Sequence, residues 1–417
     1  MTNLRPRNNR AGRPSTLARH GRLKRRGPWG LVGKVVAAVL GVALVSTTSI
    51  AAYAAFNIVS GTKPSVALVD KNGKTVTPQV GAMNGAFNVL LAGSDSGDGD
   101  AKYGDRGENL NDVTMVLHVS ADHQNATVIS FPRDTFVPIP SCPDPTGGSF
   151  SAMSRQKINT TLTYGGLPCT VLTVEQLTGL EIPYAAKIEF DGVVAMSNAV
   201  GGVPVCLAGP LNDDQVNPPL HLKAGNYNLK GGMALSYLRT RHSIGDGSDL
   251  GRISNQQSFL SSLMRTIKSS KTLGDPVKLY SIATAASQHM TLSDSLNSIP
   301  TMISMAAALK NIDLNQVAFV QYPTYYVDGG VEPSTAAADT LMAAIKADKP
   351  ISLTGTTGVG TEVQASGSTP APTSSSPPKA SSKPSSSPTA SKQAVELPDS
   401  VHGQTAAQQT CAKPYQD

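Results

Sequence analysis

From Arg239 to Gln257 the chain reads Arg-Thr-Arg-His-Ser-Ile-Gly-Asp-Gly-Ser-Asp-Leu-Gly-Arg-Ile-Ser-Asn-Gln-Gln. Three arginines, two aspartates and an amide pair are gathered around a glycine-rich centre. A planar guanidinium engages phosphate oxygens in pairs, and three of them suit a diphosphate better than a single carboxylate. Each charge-assisted bond to such a ligand is worth about 1.5–3 kcal/mol. Arg239 and Arg241 face the same way only if the backbone is extended between them. Leu229, Met233 and Tyr237 stand at helical spacing, which predicts a helix ending just before that pair. Beyond the glycines, Ser248 or Asp249 can cap a new helix starting near Gly251. Its apolar stripe is Phe259, Leu260, Leu263, Met264 and Ile267; traced backwards, the stripe lands on Gln256 and Arg252. Polar side chains then point inward at a helix N-terminus, where an anion is already favoured. The competing reading, a solvated basic turn, needs neither the glycines nor polar residues on a core stripe. His242 stands alone and reads as a hydrogen-bonded bystander.

A second constellation depends on strand register. Val113–Val119 and Ala126–Phe131 read as strands joined by the polar turn 120–125, and pairing Val119 with Ala126 puts Asp112 across from Arg133. Phe87–Ala92 reads as a buried strand that exits at Asp95. If it is an antiparallel neighbour, Asp95, Asp112 and Arg133 gather at one end of a sheet, where function usually sits. Two carboxylates beside an arginine make a cradle for a hard divalent cation bound to phosphate. A structural Arg–Asp pair with turn-forming aspartates is the simpler alternative for this group taken alone.

The elements that must position these residues occupy the middle of the 417-residue chain. Residues 1–34 carry ten Lys or Arg and no acid, leaving 25 basic against 29 acidic residues elsewhere. The basicity therefore belongs to the N-terminal tail, and nothing in it supports nucleic-acid binding by the body. Residues 35–56 are uncharged and long enough to cross a bilayer as a helix. The basic flank before them predicts a cytoplasmic N-terminus and an extracytoplasmic body. A cleaved signal peptide ending at Ala52-Tyr53-Ala54 is the competing reading. Residues 57–84 read as a stalk with one hairpin around Lys71–Lys74. Alternating strands and helices then predict one α/β domain over 85–350, with a strand at 203–207, another at Val317–Gln321 and a last helix over 335–347. Residues 351–417, rich in Ser, Pro, Thr and Ala up to Lys392, read as a disordered tail. The four cysteines fit an oxidising compartment. Cys142 and Cys169 flank one Gly/Pro-rich excursion and are the expected pair, which leaves Cys206 with Cys411. Walker, Gly-x-Ser-x-Gly and His-Glu-x-x-His motifs are missing.

The succession Phe87-Asn-Val-Leu-Leu-Ala-Gly-Ser-Asp95, Asn111-Asp-Val-Thr-Met115, Ile129-Ser-Phe-Pro-Arg-Asp134, Lys157-Ile-Asn159, Asp191-Gly-Val-Val, Gly201-Gly-Val-Pro-Val205 and Arg239-Thr-Arg-His through Gln256-Gln257 resembles the LytR-CpsA-Psr family. The resemblance spans roughly residues 85–270 and extends to the single membrane anchor. It implies a three-layer α-β-α domain with a mixed central sheet and an extracytoplasmic phosphotransferase activity. Such enzymes move a glycopolymer from a polyprenyl-diphosphate carrier onto peptidoglycan at the cytoplasmic membrane, which makes this a cell-envelope protein. By the same likeness Asp95 and Asp112 would hold Mg²⁺, and Arg133, Arg239, Arg241, Arg252 and Gln256 would grip the diphosphate. Asp249 would orient or deprotonate the attacking hydroxyl, with Arg133 and Arg241 at the reacting phosphate. A hydrophobic tunnel for the prenyl chain is implied too, although periodicity does not locate it. The chain departs from the pattern in two places: Leu110 stands where many relatives have Arg, with Arg106 as a possible substitute, and Asn255 stands where Arg usually precedes the glutamines. A non-catalytic lipid-diphosphate-binding module and a lipid-diphosphate hydrolase are the rival functions.

Overall fold

The computed structural model describes residues 32–34, 36–39, 62–76, 83–95, 109–269, 272, 275–364 and 393–415. The chain divides into two units, Met1–Val59 and Ser60–Asp417. In the first, 32–34 and 36–39 are helical; the rest of the expected basic tail and of the 35–56 anchor lies outside the described residues. Among the described residues no helix is long and apolar enough to cross a membrane.

The second unit is organised by a seven-stranded mixed sheet. Its strands are β1 (Phe87–Ser94), β2 (Asn111–Val119), β3 (Ala126–Phe131), β4 (Tyr184–Ile188), β5 (Met290–Leu292), β6 (Val317–Gln321) and β7 (Gly403–Thr405). They lie in the order β5-β4-β1-β2-β3-β6-β7. The β1–β2–β3 meander is antiparallel, whereas β1–β4 and β3–β6 are parallel. Among the described residues, seven α-helices complete the frame: α1 (Thr161–Thr178), α2 (Phe190–Val200), α3 (Gly232–Arg239), α4 (Asp249–Lys268), α5 (Pro276–His289), α6 (Ile299–Lys310) and α7 (Thr335–Lys346).

Period-2 alternation assigns the two faces of the central strands. Leu90, Ala92 and Val116 point to one side and are fully buried with Val171 and Val174 of α1 and Leu341 and Ile345 of α7. Met115 and Phe319 point to the other side and join Met305 of α6, with Leu260 and Met264 of α4 packed against them. Helices therefore cover both faces, as the α-β-α expectation requires. The expected pairing of Val119 with Ala126 is present, and so are both disulfides, Cys142–Cys169 and Cys206–Cys411.

Three expectations are corrected. The described part of the 57–84 stalk belongs to the body. Lys63 N donates to Ser287 O at 3.1 Å, Val66 N to Leu292 O at 2.9 Å, and Leu68 is 2% exposed in the core. Val66 gains backbone partners beside β5, and Leu68 gains burial, that a free stalk would lack. The hairpin itself forms as expected, with Val69 opposite Thr75.

The tail expected to be disordered over 351–417 is structured at both ends, while the Ser/Pro-rich residues 365–392 lie outside the described residues. Strand β7 completes the main sheet. Thr361–Val363 and Thr410–Ala412 join Val203–Leu207 and Gly225–Leu229 in a four-stranded sheet. This strap holds through backbone pairing, the Cys206–Cys411 bridge and the burial of Leu397, Val401 and Ala406 in the two main cores.

The second sheet also modifies the single three-layer plan. α4 is shared between two cores: Phe259 and Leu263 face the small sheet, and Leu260 and Met264 face the large one.

Candidate functional site

Pro132 ends β3, and both Thr135 N and Thr135 Oγ1 donate to its carbonyl, at 3.1 and 2.6 Å, closing the turn that presents Arg133. On the facing strand, Gly93 pairs with Val113 but Ser94 pairs with Asn111, so Asp112 is the extra residue of a β-bulge. A bulge breaks the pleat's alternation and re-aims one side chain. Only glycine fits at position 93, because a Cβ there would lie 2.8 Å from that of Val113. Asp112 consequently meets Arg133, with Oδ1 at 2.5 Å from Nη1.

Two further arginines reach the same carboxylate. Ser248 caps α4 by accepting from Gly251 N, which sets Asp249 and Arg252 in the first turn. Arg252, 2% exposed, donates through Nη2 to the Asp112 carbonyl at 2.8 Å and lies 3.4 Å from Asp112 Oδ2. Its Nη2 is also 2.6 Å from Asp249 Oδ1. Arg241 leaves the buried, extended Thr240, whose hydroxyl is held by Asp213 at 2.5 Å, and brings Nη2 to 3.7 Å from Asp112 Oδ2. The loop behind Arg241 is backed by the C-terminal strap, where Gly245 N donates to Lys413 O and Tyr415 N donates to Ser243 O.

The electrostatics separate the three arginines. Burial would raise the pKa of Asp112, but the guanidiniums of Arg252, Arg133 and Arg241 outweigh it and hold the carboxyl below its ordinary value. Burial would lower Arg133, but Asp112, Asp134 and Asp249 reverse the effect and raise it. Arg241 is the exception. Burial and then the positive charges of Arg252 and Arg133 depress it, and Asp112 and Asp249 only partly compensate. An anion lying among the three would relieve that repulsion. Four cations (Arg133, Arg241, Arg252, Lys157) stand against four carboxylates (Asp95, Asp112, Asp134, Asp249) at this end of the sheet. A diphosphate diester, adding two negative charges, would be matched by one divalent cation.

Of the remaining expected residues, Arg239 and Gln256 fall elsewhere. Arg239, at the end of α3, places its guanidinium carbon 4.2 Å from the centre of the Phe190 ring. Gln256 Nε2 donates to Leu238 O and Asn255 Nδ2 to Tyr237 O, both at 3.0 Å, so both amides satisfy the terminal carbonyls of α3. Asp95 is 5% exposed at the same sheet end as Asp112, and its Oδ1 accepts from Leu110 N at 3.1 Å. Arg106 lies outside the described residues. Asp134 and Lys157 join the cluster without having been assigned a role. Lys157 Nζ is 3.0 Å from Asp134 Oδ1, which also takes Arg133 Nε at 3.3 Å through Oδ2. Their signal was present in the Pro-Arg-Asp and Lys-Ile-Asn motifs.

Among the described residues no three His, Cys, Asp or Glu side chains gather as a metal cage. Magnesium shared with substrate phosphates needs only one or two protein carboxylates. Asp95 and Asp112 are the two carboxylates at this sheet end that such a cation would need, with both Asp112 oxygens facing guanidiniums in this structure.

Beside the cluster the helical cover is incomplete. Val89 and Leu91 of β1, Val113 and Leu117 of β2 and Ile188 of β4 lie on inner strands yet are only half-buried, unlike Leu90 and Val116 on the opposite face. Met196, Met264 and Met302 border the same face. These half-buried apolar residues share one strand face that begins at Val113, next to Asp112. Flexible thioethers suit a variable apolar occupant.

Residues 52–346 match the family model described as the LytR_cpsA_psr family. The cell wall biosynthesis protein LcpA of Corynebacterium glutamicum is 31% identical over 278 residues, covering 60% of this chain and 52% of that protein. The polyisoprenyl-teichoic acid–peptidoglycan teichoic acid transferase TagT of Bacillus subtilis is 24% identical over 295 residues, covering 69% of this chain and 86% of that one. The crystal structure of B. subtilis TagV superposes with a TM-score of 0.51 at 22% identity, covering 64% of this chain and 98% of that structure. This chain spans about half the length of the Corynebacterium relatives it matches, 52% and 48%. The family model covers most of the chain, including the strands and loops that build the arginine cluster, and the chain belongs to the LytR-CpsA-Psr family.

Proposed function

We propose that the protein is an extracytoplasmic phosphotransferase that moves a glycopolymer from a polyprenyl-diphosphate carrier to peptidoglycan. The observation that carries this reading is the convergence of Arg133, Arg241 and Arg252, from three separate segments, on the bulged Asp112. The guanidiniums suit the diphosphate, and the half-buried apolar strand face beside them suits a prenyl chain. The name of TagT states this chemistry for that protein, and the name of LcpA puts it in cell wall biosynthesis. The uncharged segment 35–56 behind a basic tail, together with two disulfides, supports export with a retained membrane anchor.

In the proposed reaction an acceptor hydroxyl oxygen attacks the phosphorus joined to the polymer. A new phosphodiester forms, the bond from that phosphorus to the bridging oxygen breaks, and prenyl monophosphate leaves with the electron pair. Phosphoryl transfer of this kind depends on positioning and charge stabilisation rather than on a covalent nucleophile. Arg133, Arg241 and Arg252 hold the phosphate oxygens as charge moves to the leaving group. Asp249 is fixed by Arg252 on one oxygen and by Arg133 N, at 3.4 Å, on the other. It orients the incoming hydroxyl and accepts its proton or passes it to solvent. Mg²⁺ held by Asp95 and Asp112 would supply further neutralisation of the diphosphate when bound. Arg239 and Gln256 act through α3 and the chain around it rather than on the phosphates.

The test combines the full chain in detergent with a polyprenyl-diphosphate-linked glycopolymer, Mg²⁺ and peptidoglycan oligomers. Polymer attached to peptidoglycan is the expected product. Free phosphorylated sugar would identify a hydrolase, and bound but unchanged lipid a binding module. Arg241→Ala should lower transfer by about 10²–10³-fold. Its weak 3.7 Å pairing predicts a stability change within about 1 kcal/mol. A fully active Arg241→Ala protein removes the site as drawn.

A further inference from the structure

Helices α5 and α6 are in contact and lie over the same face of the main sheet. Ala286 of α5 and Met302, Met305, Ala308 and Leu309 of α6 point into the core beneath them. The opposite sides of both helices therefore look into solvent together. On α6 that side is Pro300, Ile303 and Ala307, all exposed and spaced by three and four residues, with Lys310 one turn further on. On α5 it begins with the exposed Val277 and Ser281. Val277 is 75% exposed and Ile303 50%. Neither helix contains an acidic residue, and Lys278 and Lys310 are the only Lys or Arg in the two.

A surface helix normally carries charge on its outer side. Helix α7, on the other face of the sheet, does so: Ala336, Asp339, Ala343 and Lys346 are exposed along it. The chain also joins the body against α5 and α6. Lys63 N donates to Ser287 O of α5, and Val66 N to Leu292 O in the connection between the two helices. The uncharged segment 35–56 ends seven residues before Lys63, a span of at most about 25 Å at full extension. Val277 is ten residues from Ser287 on the same helix, about 15 Å along its axis. With 35–56 in a bilayer, so short a tether keeps α5 near the lipid surface, and the high effective concentration makes a weak contact sufficient.

We infer that the outer face of α5 and α6 rests on the bilayer, with Val277 and Ile303 at the boundary between headgroups and acyl chains and Lys278 and Lys310 among the lipid phosphates. Apolar side chains flanked by lysines are the composition of an interfacial helix. Helices without acids avoid repulsion by anionic lipid. The inference rests on the proposed membrane anchor. Met302, on the inner side of α6, borders the half-buried strand face that suits a prenyl chain, so the docked body holds that face close to the membrane.

The experiment places the full chain in lipid nanodiscs of phosphatidylglycerol and phosphatidylcholine, the latter plain in one preparation and brominated high on its acyl chains in the other. The sole tryptophan is removed by Trp29→Phe, and Ile303→Trp or Ala343→Trp then supplies the fluorophore. Emission of the Ile303→Trp protein should fall by about twofold or more in brominated discs, because an interfacial helix sits about 5–10 Å into the boundary. Emission of the Ala343→Trp protein, on the far layer, should not change. Adding Val277→Asp to the Ile303→Trp protein should abolish the quenching. An acid is favoured in the first turn of a helix, so the melting temperature should hold. Unquenched emission at position 303, or equal quenching at position 343, overturns the inference, and so does quenching that survives Val277→Asp. Unquenched emission with two copies eluting together assigns the face to a second copy instead. A chain that fails to enter the discs removes the anchor and the inference with it. Quenching confined to position 303 in a protein that transfers no polymer keeps the docking face and removes the transferase reading.

Discussion

Replacing Asp112 by Asn keeps the side chain's shape and removes the one negative charge on which Arg133, Arg241 and Arg252 converge. A phosphate oxygen bonded to those guanidiniums would sit about 4 Å from the carboxylate, where two unit charges interact by about 4 kcal/mol at an effective dielectric constant of 20. The Asp112 side chain is 21% exposed, and Asp95 and Asp249 remain nearby, so solvent and the other acids damp the change. A net gain of about 1.5–2 kcal/mol remains, or about 10–30-fold tighter binding of a metal-free diphosphate. With Mg²⁺ the order should invert, because an amide is a poor ligand for a hard cation and the wild-type pair of carboxylates is not. Calorimetric titration with geranylgeranyl diphosphate, once in EDTA and once in Mg²⁺, measures both limbs. The same ranking of the two proteins in both buffers would refute the reasoning. So would weaker metal-free binding by the Asn variant. Arg252 keeps Asp249 at 2.6 Å, so the variant should lose only about 1–2 kcal/mol of stability, read from urea melts.

His118 is 4% exposed, and burial depresses its pKa below the ordinary 6.5, with Asp348 only partly opposing. A depressed folded-state value means that the unfolded chain takes the proton first, so stability should fall as pH drops below about 6.5. Urea midpoints between pH 7.5 and 5 should show this slope, and His118→Asn should flatten it. At Gly360 an added Cβ would lie 2.1 Å from Gly251 O. Gly360→Ala should therefore push the strap off the first turn of α4, costing about 1–3 kcal/mol and weakening diphosphate binding in the same titration.

The site was readable where local pattern and chain chemistry agree. Alternation along β2 and β3 set the register that brings Asp112 to Arg133. The cap at Ser248 followed from glycines preceding an apolar stripe. What escaped depends on partners far away in sequence. Thr361–Val363 and Thr410–Ala412 are three residues long, too short for periodicity, and gain their order from Val203–Leu207. Gln256 and Arg252 both pointed inward as the stripe implied, yet a polar residue on a core stripe can serve a ligand or a carbonyl. Only the position of α3 shows that Gln256 serves Leu238. Arg239 and Arg241 flank the extended Thr240, but Phe190 draws one away and Asp112 takes the other. The bulge that aims Asp112 has no signature beyond Gly93.

The strap behind the Arg241 loop returns to the body through Cys206–Cys411, partners 205 positions apart, and through the backbone contacts of Lys413 and Tyr415. A protease cut anywhere between residues 364 and 393 would thus yield two polypeptides that migrate together until a reductant separates them. The splint behind the Arg241 loop would remain in position after such a nick. The strap's position is accordingly set by its disulfide and backbone pairings rather than by covalent continuity with residue 364.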